Sequence, residues 1–216
     1  MNDYRPYCIN YQYREKLLKA FSLSGTRLSF SARVLVESGY RKLNYVCIIL
    51  SGRVKQYFID PEGAKRTILI LSRGDIFGEI TLLQDDFDWV LTETLESTEV
   101  LRIDGETFFT VLKTDPDVGK ELLRMVSTKF RILMAEIHDM TFYSTRERLA
   151  ELLKRLSKQH GIRTEQGVEI NLKLTHEEIA AMIGSSRATV TRMLEDLEQE
   201  GFIKRRGKHL ILLTSS

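Results

Sequence analysis

A chain of 216 residues with 43% hydrophobic and 29% charged residues has the make-up of a soluble protein with a proper core, in one large domain or two small ones. Its net charge of +2 excludes a polycation as a whole. No run approaches the roughly 18 apolar residues of a membrane span, and the opening MNDYRPYCINYQYREK has no apolar signal core, so a cytoplasmic protein with no membrane partner is expected.

Residues 1–115 read as short β-strands broken by turn signals. VCIILSGRVKQYFI runs into DPEG (60–63), where proline presets φ and glycine accepts φ > 0, so a tight hairpin is expected before KRTILILS. GDIFGEI and WVLTETLESTEVLRID follow. Strands at this spacing predict an antiparallel barrel or sandwich. GETFFTVLKTDP then predicts a short helix that stops before Pro116. Cys47, in NYVCIIL, reads as a small buried hydrophobe, while Cys8 lies near the start of the chain, where a reactive thiol has no support. All four histidines, His138, His160, His176 and His209, fall after residue 130, which argues against an imidazole-bound haem or metal in the first half.

Residues 116–140 predict one long helix. Leu123, Phe130 and Ile137 recur every seven residues, and Val126, Leu133 and Met140 recur three positions later. That is the a/d seam of a helix pairing with a second copy, so a homodimer is expected; the other reading packs the stripe on the chain's own β domain.

Residues 141–216 predict a helix-turn-helix with a wing. Ser144 with Glu147 and Thr175 with Glu178 have the S/T-x-x-E spacing of a capping box, and the first of these makes Thr141, Phe142 and Tyr143 the expected hinge. Ile179, Ala180 and Ile183 face inward, Gly184 turns, Ser185 or Ser186 caps the next helix, and Gly201 ends it. Val190, Met193, Leu194 and Leu197 form its buried stripe. The exposed start of that helix offers Ser186, Arg187, Ala188, Thr189, Thr191 and Arg192 to base edges, where an arginine can bind guanine through two hydrogen bonds. The wing, FIKRRGKHLILL, offers Lys204, Arg205, Arg206 and Lys208 to phosphates, and Thr175, His176 and Ser185 complete the candidate contacts to double-stranded DNA. Thirteen of the 32 Lys and Arg but only ten of the 30 Asp and Glu lie after Met140, so the basic excess sits in this segment.

In their order, LSGRVKQYF, GDIFGEI, TEVLRI and IGSSRATVTRMLEDLEQEGFI resemble the CRP/FNR (cyclic-AMP receptor protein / fumarate–nitrate regulator) superfamily of bacterial transcription factors over about residues 20–212. The resemblance implies an α+β chain: an N-terminal antiparallel β-roll of the cyclic-nucleotide-binding type (1–115), a dimerisation helix (116–140) and a C-terminal winged helix-turn-helix (141–216). It implies a homodimer on a two-fold symmetric DNA site, effectors that rotate the DNA-binding domains about the hinge, and RNA polymerase as partner if the protein activates transcription.

The departures from that pattern carry expectations of their own. In cyclic-nucleotide readers of the family an Arg-Ser pair neutralises the cyclic phosphate; it falls here at about Asp88 and Trp89. A polar pair that meets the adenine falls at Leu133 and Met134. Like charges about 4 Å apart repel by ~1 kcal/mol in water and several times that when desolvated, so cyclic AMP is disfavoured. Gly78, Glu79, Ile80, Asp88, Trp89, Val90, Phe130, Leu133 and Met134 remain as a candidate pocket, either for another, less anionic effector or filled as core. Haem and iron–sulfur clusters lack the family's ligand residues, so no cofactor or metal is expected. The family's frequent Ser-Arg-Glu-Thr-Val is Ser186-Arg187-Ala188-Thr189-Val190 here. Alanine cannot accept from cytosine, so a guanine opposite Arg187 with a relaxed or thymine-leaning neighbour is expected. The acids Asp85, Asp86 and Asp88 have no nucleophile, base partner or metal-ligand spacing around them, so no catalytic residues are expected. The rival to a DNA-binding regulator is a sensory module of the same fold that acts through protein partners.

Overall fold

The structure is a computed structural model and describes residues 11–37, 39, 41–87, 89–207 and 209–213. Asp88, a candidate pocket residue, and Lys208, a candidate DNA contact, lie outside the described residues, as does Cys8. The fold is α+β, with a β-rich N-terminal part, a long helix and a helix-turn-helix region. The chain divides into two compact units. Residues 9–63 and 67–130 form one; residues 131–216, with 64–66, are the bulk of the other.

The first unit holds α1 (Tyr11–Phe21), β1 (Thr26–Phe30), β2 (Leu35–Glu37), β3 (Tyr45–Ser51), β4 (Arg53–Ile59), β5 (Lys65–Ser72), β6 (Ile76–Phe77), α2 (Glu79–Gln84), β7 (Leu91–Thr94), β8 (Thr98–Asp104) and α3 (Gly105–Thr114). The strands make two four-stranded sheets, ordered β1-β8-β3-β6 and β2-β7-β4-β5. Gly52 is the corner where the chain leaves one sheet for the other. Its φ is +80°, and a Cβ there would lie 2.4 Å from the Ser97 carbonyl oxygen, so only glycine fits. The expected turn at 60–63 is closed by the Gly63 N–H donating to the Asp60 carbonyl at 3.0 Å. Val46, Cys47, Ile48 and Ile49 of β3 are all buried, because both faces of this strand are covered. Val46 and Ile48 pack with Leu17 and Phe21 of α1 and with Ile103 and Phe108. Burial pushes the Cys47 thiol up, which keeps it protonated and inert.

Helix α1 is not foreseen in the sequence reading. It is fixed by Arg14, whose Nε and Nη2 each donate to an Asp75 carboxylate oxygen at 2.8 Å, and Asp75 is fully buried. Helix α3 ends as expected, with Asp104 capping its start and Asp115 following its last residue.

Helix α4 (Pro116–Phe142) is about 40 Å long at 1.5 Å per residue. Val118, Leu122, Met125, Lys129 and Ile132 are buried along one face. Leu123, Phe130, Ile137 and Met140 of the heptad stripe are each more than half exposed. Val126 and Leu133 are half-buried. The helix runs through Thr141 and Phe142, two residues of the expected hinge, and the break before the next helix falls at Tyr143 and Ser144. Ser144 is what ends it: its side chain accepts from the Glu147 N–H, and Glu147 accepts from the Ser144 N–H at 2.8 Å, a completed capping box that starts the next helix.

The second unit carries α5 (Thr145–His160), β9 (Gly161–Thr164), β10 (Gly167–Ile170), α6 (His176–Ile183), α7 (Arg187–Gln199), β11 (Ile203–Arg206) and β12 (His209–Leu213). The predicted wing pair, β11 and β12, joins β9 and β10, which the sequence reading did not separate out, in one antiparallel sheet ordered β11-β12-β10-β9. Ile179, Ala180 and Ile183 of α6 and Val190, Met193, Leu194 and Leu197 of α7 are buried, as expected.

Candidate nucleic-acid interface and effector cavity

The turn between α6 and α7 is built by backbone and caps. Thr175 and Glu178 form the second capping box at the start of α6, and Gly184 ends that helix in the left-handed conformation. Of the two serines, Ser186 caps α7, accepting from the Thr189 N–H at 3.1 Å; Ser185 is half-buried, its N–H donating to the Ala180 carbonyl. The Thr189 hydroxyl lies 2.9 Å from the Ser186 hydroxyl, and Thr191 donates to the Arg187 carbonyl at 3.0 Å. Both hydroxyls are therefore engaged inside the helix. Arg187, Ala188 and Arg192 are exposed on one face, and Glu195, which the sequence reading left out, continues it.

The two wing arginines have partners within the protein. The Arg205 N–H donates to Glu198 Oε1 at 2.8 Å and its guanidinium pairs with Oε2 of the same residue. These contacts hold the Glu198 carboxyl below the usual carboxylate range, the backbone hydrogen bond first and the side-chain one second. Arg206 pairs with Glu169. Ion pairs at the surface are weak, so either arginine can exchange its carboxylate for a phosphate. Lys204 is exposed. Arg148 of α5 ties the reading region to the hinge: its Nε donates to the Ile183 carbonyl at 3.1 Å and its Nη1 to the Tyr143 carbonyl at 3.0 Å.

In the first unit a cavity of about 90 Å³ lies beside α2. Gly78, Glu79, Ile80 and Val90, all expected there, line it, together with Glu37, Arg41, Tyr45 and Gln56, which were not. Gly78 has φ +83°, and a Cβ on it would sit 3.0 Å from Glu37 Oε1. Thr92 donates to Glu37 Oε2 at 3.2 Å. Burial and, second, the Glu37 carboxylate push the Tyr45 phenol up.

Four expected pocket residues are not in this wall. Trp89 is 64% exposed, its ring tilted against Phe58 with ring centroids 5.3 Å apart, while its neighbour Val90 is the buried one. Phe130, Leu133 and Met134 are not among the residues that line it. Beside the cavity, α4 places Lys129 on Glu79. Its Nζ lies 2.8 Å from Glu79 Oε1 and 2.6 Å from the Ile76 carbonyl oxygen, with both side chains buried. An internal ammonium therefore already holds one of the Glu79 oxygens. A lysine in the buried phase of α4 was the available signal, since a buried cation requires an acid nearby. Among the described residues no cluster of three or more His, Cys, Asp and Glu is placed to hold a metal ion.

Comparison with known proteins agrees with this geometry. Residues 31–115 match the family description of a cyclic nucleotide-binding domain, and residues 147–215 that of a Crp-like helix-turn-helix domain. The chain is 27% identical over 168 residues to the CRP-like cAMP-activated global transcriptional regulator of Mycobacterium tuberculosis, covering 78% of this chain and 75% of that protein. It is 28% identical over 186 residues to the cAMP-activated global transcriptional regulator CRP of Salmonella typhimurium, covering 84% and 86%. Among solved structures, a CooA variant from Carboxydothermus hydrogenoformans superposes with a TM-score of 0.77 at 26% identity, covering 93% of this chain and 86% of that one. The c-di-GMP responsive regulator CLP of Xanthomonas campestris superposes with a TM-score of 0.78 at 21% identity, covering 93% and 100%, which shows the shared fold. A nucleotide-binding-type β unit followed by a Crp-like helix-turn-helix places this chain in the CRP/FNR superfamily of DNA-binding transcription regulators.

Proposed function

We propose that this chain is a cytoplasmic homodimeric regulator that reads a two-fold symmetric DNA site and does so without a cyclic nucleotide. The observation that carries the DNA reading is the exposed Arg187, Ala188 and Arg192 face at the capped start of α7. In a helix-turn-helix this is the part that meets base edges, and a dimer sets two copies one DNA turn apart. Division of labour follows the sequence segments: 1–115 as β unit, 116–140 as dimerisation helix, 141–216 as reading unit. RNA polymerase is the further partner if the protein activates. The test is affinity for an operator duplex against salt. A log–log slope of about −0.9 per phosphate contact supports the reading; salt-independent or absent binding would favour a module that works through protein partners.

The dimer rests on the exposed heptad stripe of α4. Fully burying a side chain such as Leu, Ile or Phe is worth ~1.5–3 kcal/mol, and four stripe residues stand more than half exposed. Phe130→Glu combined with Ile137→Glu is expected to give a folded monomer by sedimentation equilibrium. A dimer that persists in that variant places the interface elsewhere.

The nucleotide-free reading rests on the cavity. Its volume of about 90 Å³ is far below the ~300–1,000 Å³ of ordinary ligand pockets. Its wall carries the carboxylates of Glu37 and Glu79 against one cation, Arg41, and Lys129 already holds Glu79. Cyclic AMP at millimolar concentration is expected to leave the melting temperature unchanged. A ligand at 100 times its Kd stabilises by about 2.7 kcal/mol, so a shift of several degrees would overturn this part.

A further inference from the structure

The first unit has a second concavity, larger than the cavity beside α2. It is a groove of about 610 Å³, lined by residues of α1, β1, β3 and β8 and by Arg73, which follows β5. Ordinary ligand pockets measure ~300–1,000 Å³, so this groove has the size that the cavity beside α2 lacks. Its floor is apolar. Leu18 of α1 and Leu101 of β8 are buried, and Leu50 of β3 is half-buried. All three belong to the core of this unit or pack against it, so the floor is held rigid from below.

The rim of the groove is basic. Lys16, Lys19, Arg27 and Arg73 line it against one acid, Glu15. The acids that reach these cations do so loosely. Lys16 Nζ is 3.3 Å from Asp117, Arg27 Nη1 is 3.9 Å from Glu99, and Arg73 Nη2 is 3.4 Å from Glu15. A well-made bond from an ammonium or guanidinium to a carboxylate is about 2.7–2.9 Å long. Lys19 is exposed and pairs with no acid among the described residues. Arg73 is oriented by its Nη1, which donates to the Leu50 carbonyl at 3.0 Å, beside the apolar floor. The rim is therefore short of negative charge, and the floor is short of an apolar cover. A bare phosphate would leave the leucines wet, and a neutral apolar molecule would leave the cations unanswered.

We propose that this groove binds small amphipathic carboxylates, the chain lying on Leu18, Leu50 and Leu101 and the carboxylate held by the basic rim. The site is separate from the cavity beside α2, and the proposal does not depend on how the chain reads DNA. Decanoate is the probe, titrated into the full chain by calorimetry at neutral pH, with leucine and valine methyl NMR on the same protein. Saturable binding is expected. The methyl signals of Leu18, Leu50 and Leu101 should shift, while those of Leu43 and Val90, in the cavity beside α2, stay in place. Decanol and inorganic phosphate each carry half of the chemistry and are expected to bind roughly tenfold more weakly or worse. Lys19→Gln combined with Arg27→Gln changes two exposed residues, with the fold checked by thermal melting. It is expected to weaken decanoate roughly tenfold, the loss of two surface charge contacts at the upper end of their usual worth. Absence of saturable binding would overturn the proposal. So would decanol or phosphate binding as tightly as decanoate, shifts confined to Leu43 and Val90, or wild-type affinity in the double variant.

Discussion

Replacing Arg187 with alanine is expected to lower affinity for the selected operator by roughly 30-fold or more and to relax preference at one base per half-site. Arg187 is exposed at the first turn of α7, held there by the Ser186 cap and by the buried stripe on the opposite side of the helix. A bidentate arginine–guanine pair is worth about 1–3 kcal/mol of discrimination, and a dimer makes it twice. Lys204→Ala is the contrasting case. Lys204 is an exposed strand residue of the wing, suited to phosphate, so its loss should weaken all sequences about equally and reduce the salt slope. Binding to the selected operator and to a duplex altered opposite Arg187 separates the two. If Arg187→Ala weakens both duplexes equally, Arg187 is a phosphate contact and the reading face is wrongly placed.

The second large effect concerns stability. Lys129→Met is expected to destabilise the first unit by about 3–5 kcal/mol, because it leaves the buried Glu79 carboxylate and the Ile76 carbonyl without their shared partner. For a chain of this size a loss of that order lowers the melting temperature by roughly 10 °C. Pairing it with Glu79→Gln removes the stranded charge and is expected to recover a good part of the loss. Calorimetry on wild type, both single variants and the double variant measures the coupling directly. Additive effects would mean that the two groups do not support each other.

Much of this molecule is local and therefore legible in its sequence. Ser144 with Glu147 and Thr175 with Glu178 are contacts between residues three apart, so spacing alone predicts them, and both boxes close in the structure. The buried stripe of α7 follows from helical period in the same way. What was missed is non-local or short. Lys129 and Glu79 lie 50 residues apart, so the buried phase of Lys129 calls for an acid without saying which one. Arg206 finds Glu169 on a strand that was not separated out, since four-residue strands such as β9 and β10 are too short to show a period. Among its described side chains helix α1 buries Leu17, Leu18 and Phe21, too few to stand out beside the charges around them. In the candidate pocket one residue separates the buried Val90, which lines the cavity, from the exposed Trp89, and one residue is enough to turn a side chain another way.

The central claim is that this chain, as a dimer without added ligand, reads a symmetric DNA sequence. Selection from a random duplex pool by the purified ligand-free protein, at near-physiological salt, tests it most directly. The account predicts enrichment of a palindrome with a guanine opposite Arg187 in each half-site and relaxed or thymine-leaning preference beside it, where Ala188 stands. Failure to enrich any sequence, from protein shown to be a folded dimer, would contradict it and assign the cavity beside Glu37 and Glu79 the task of binding a ligand before DNA can be read.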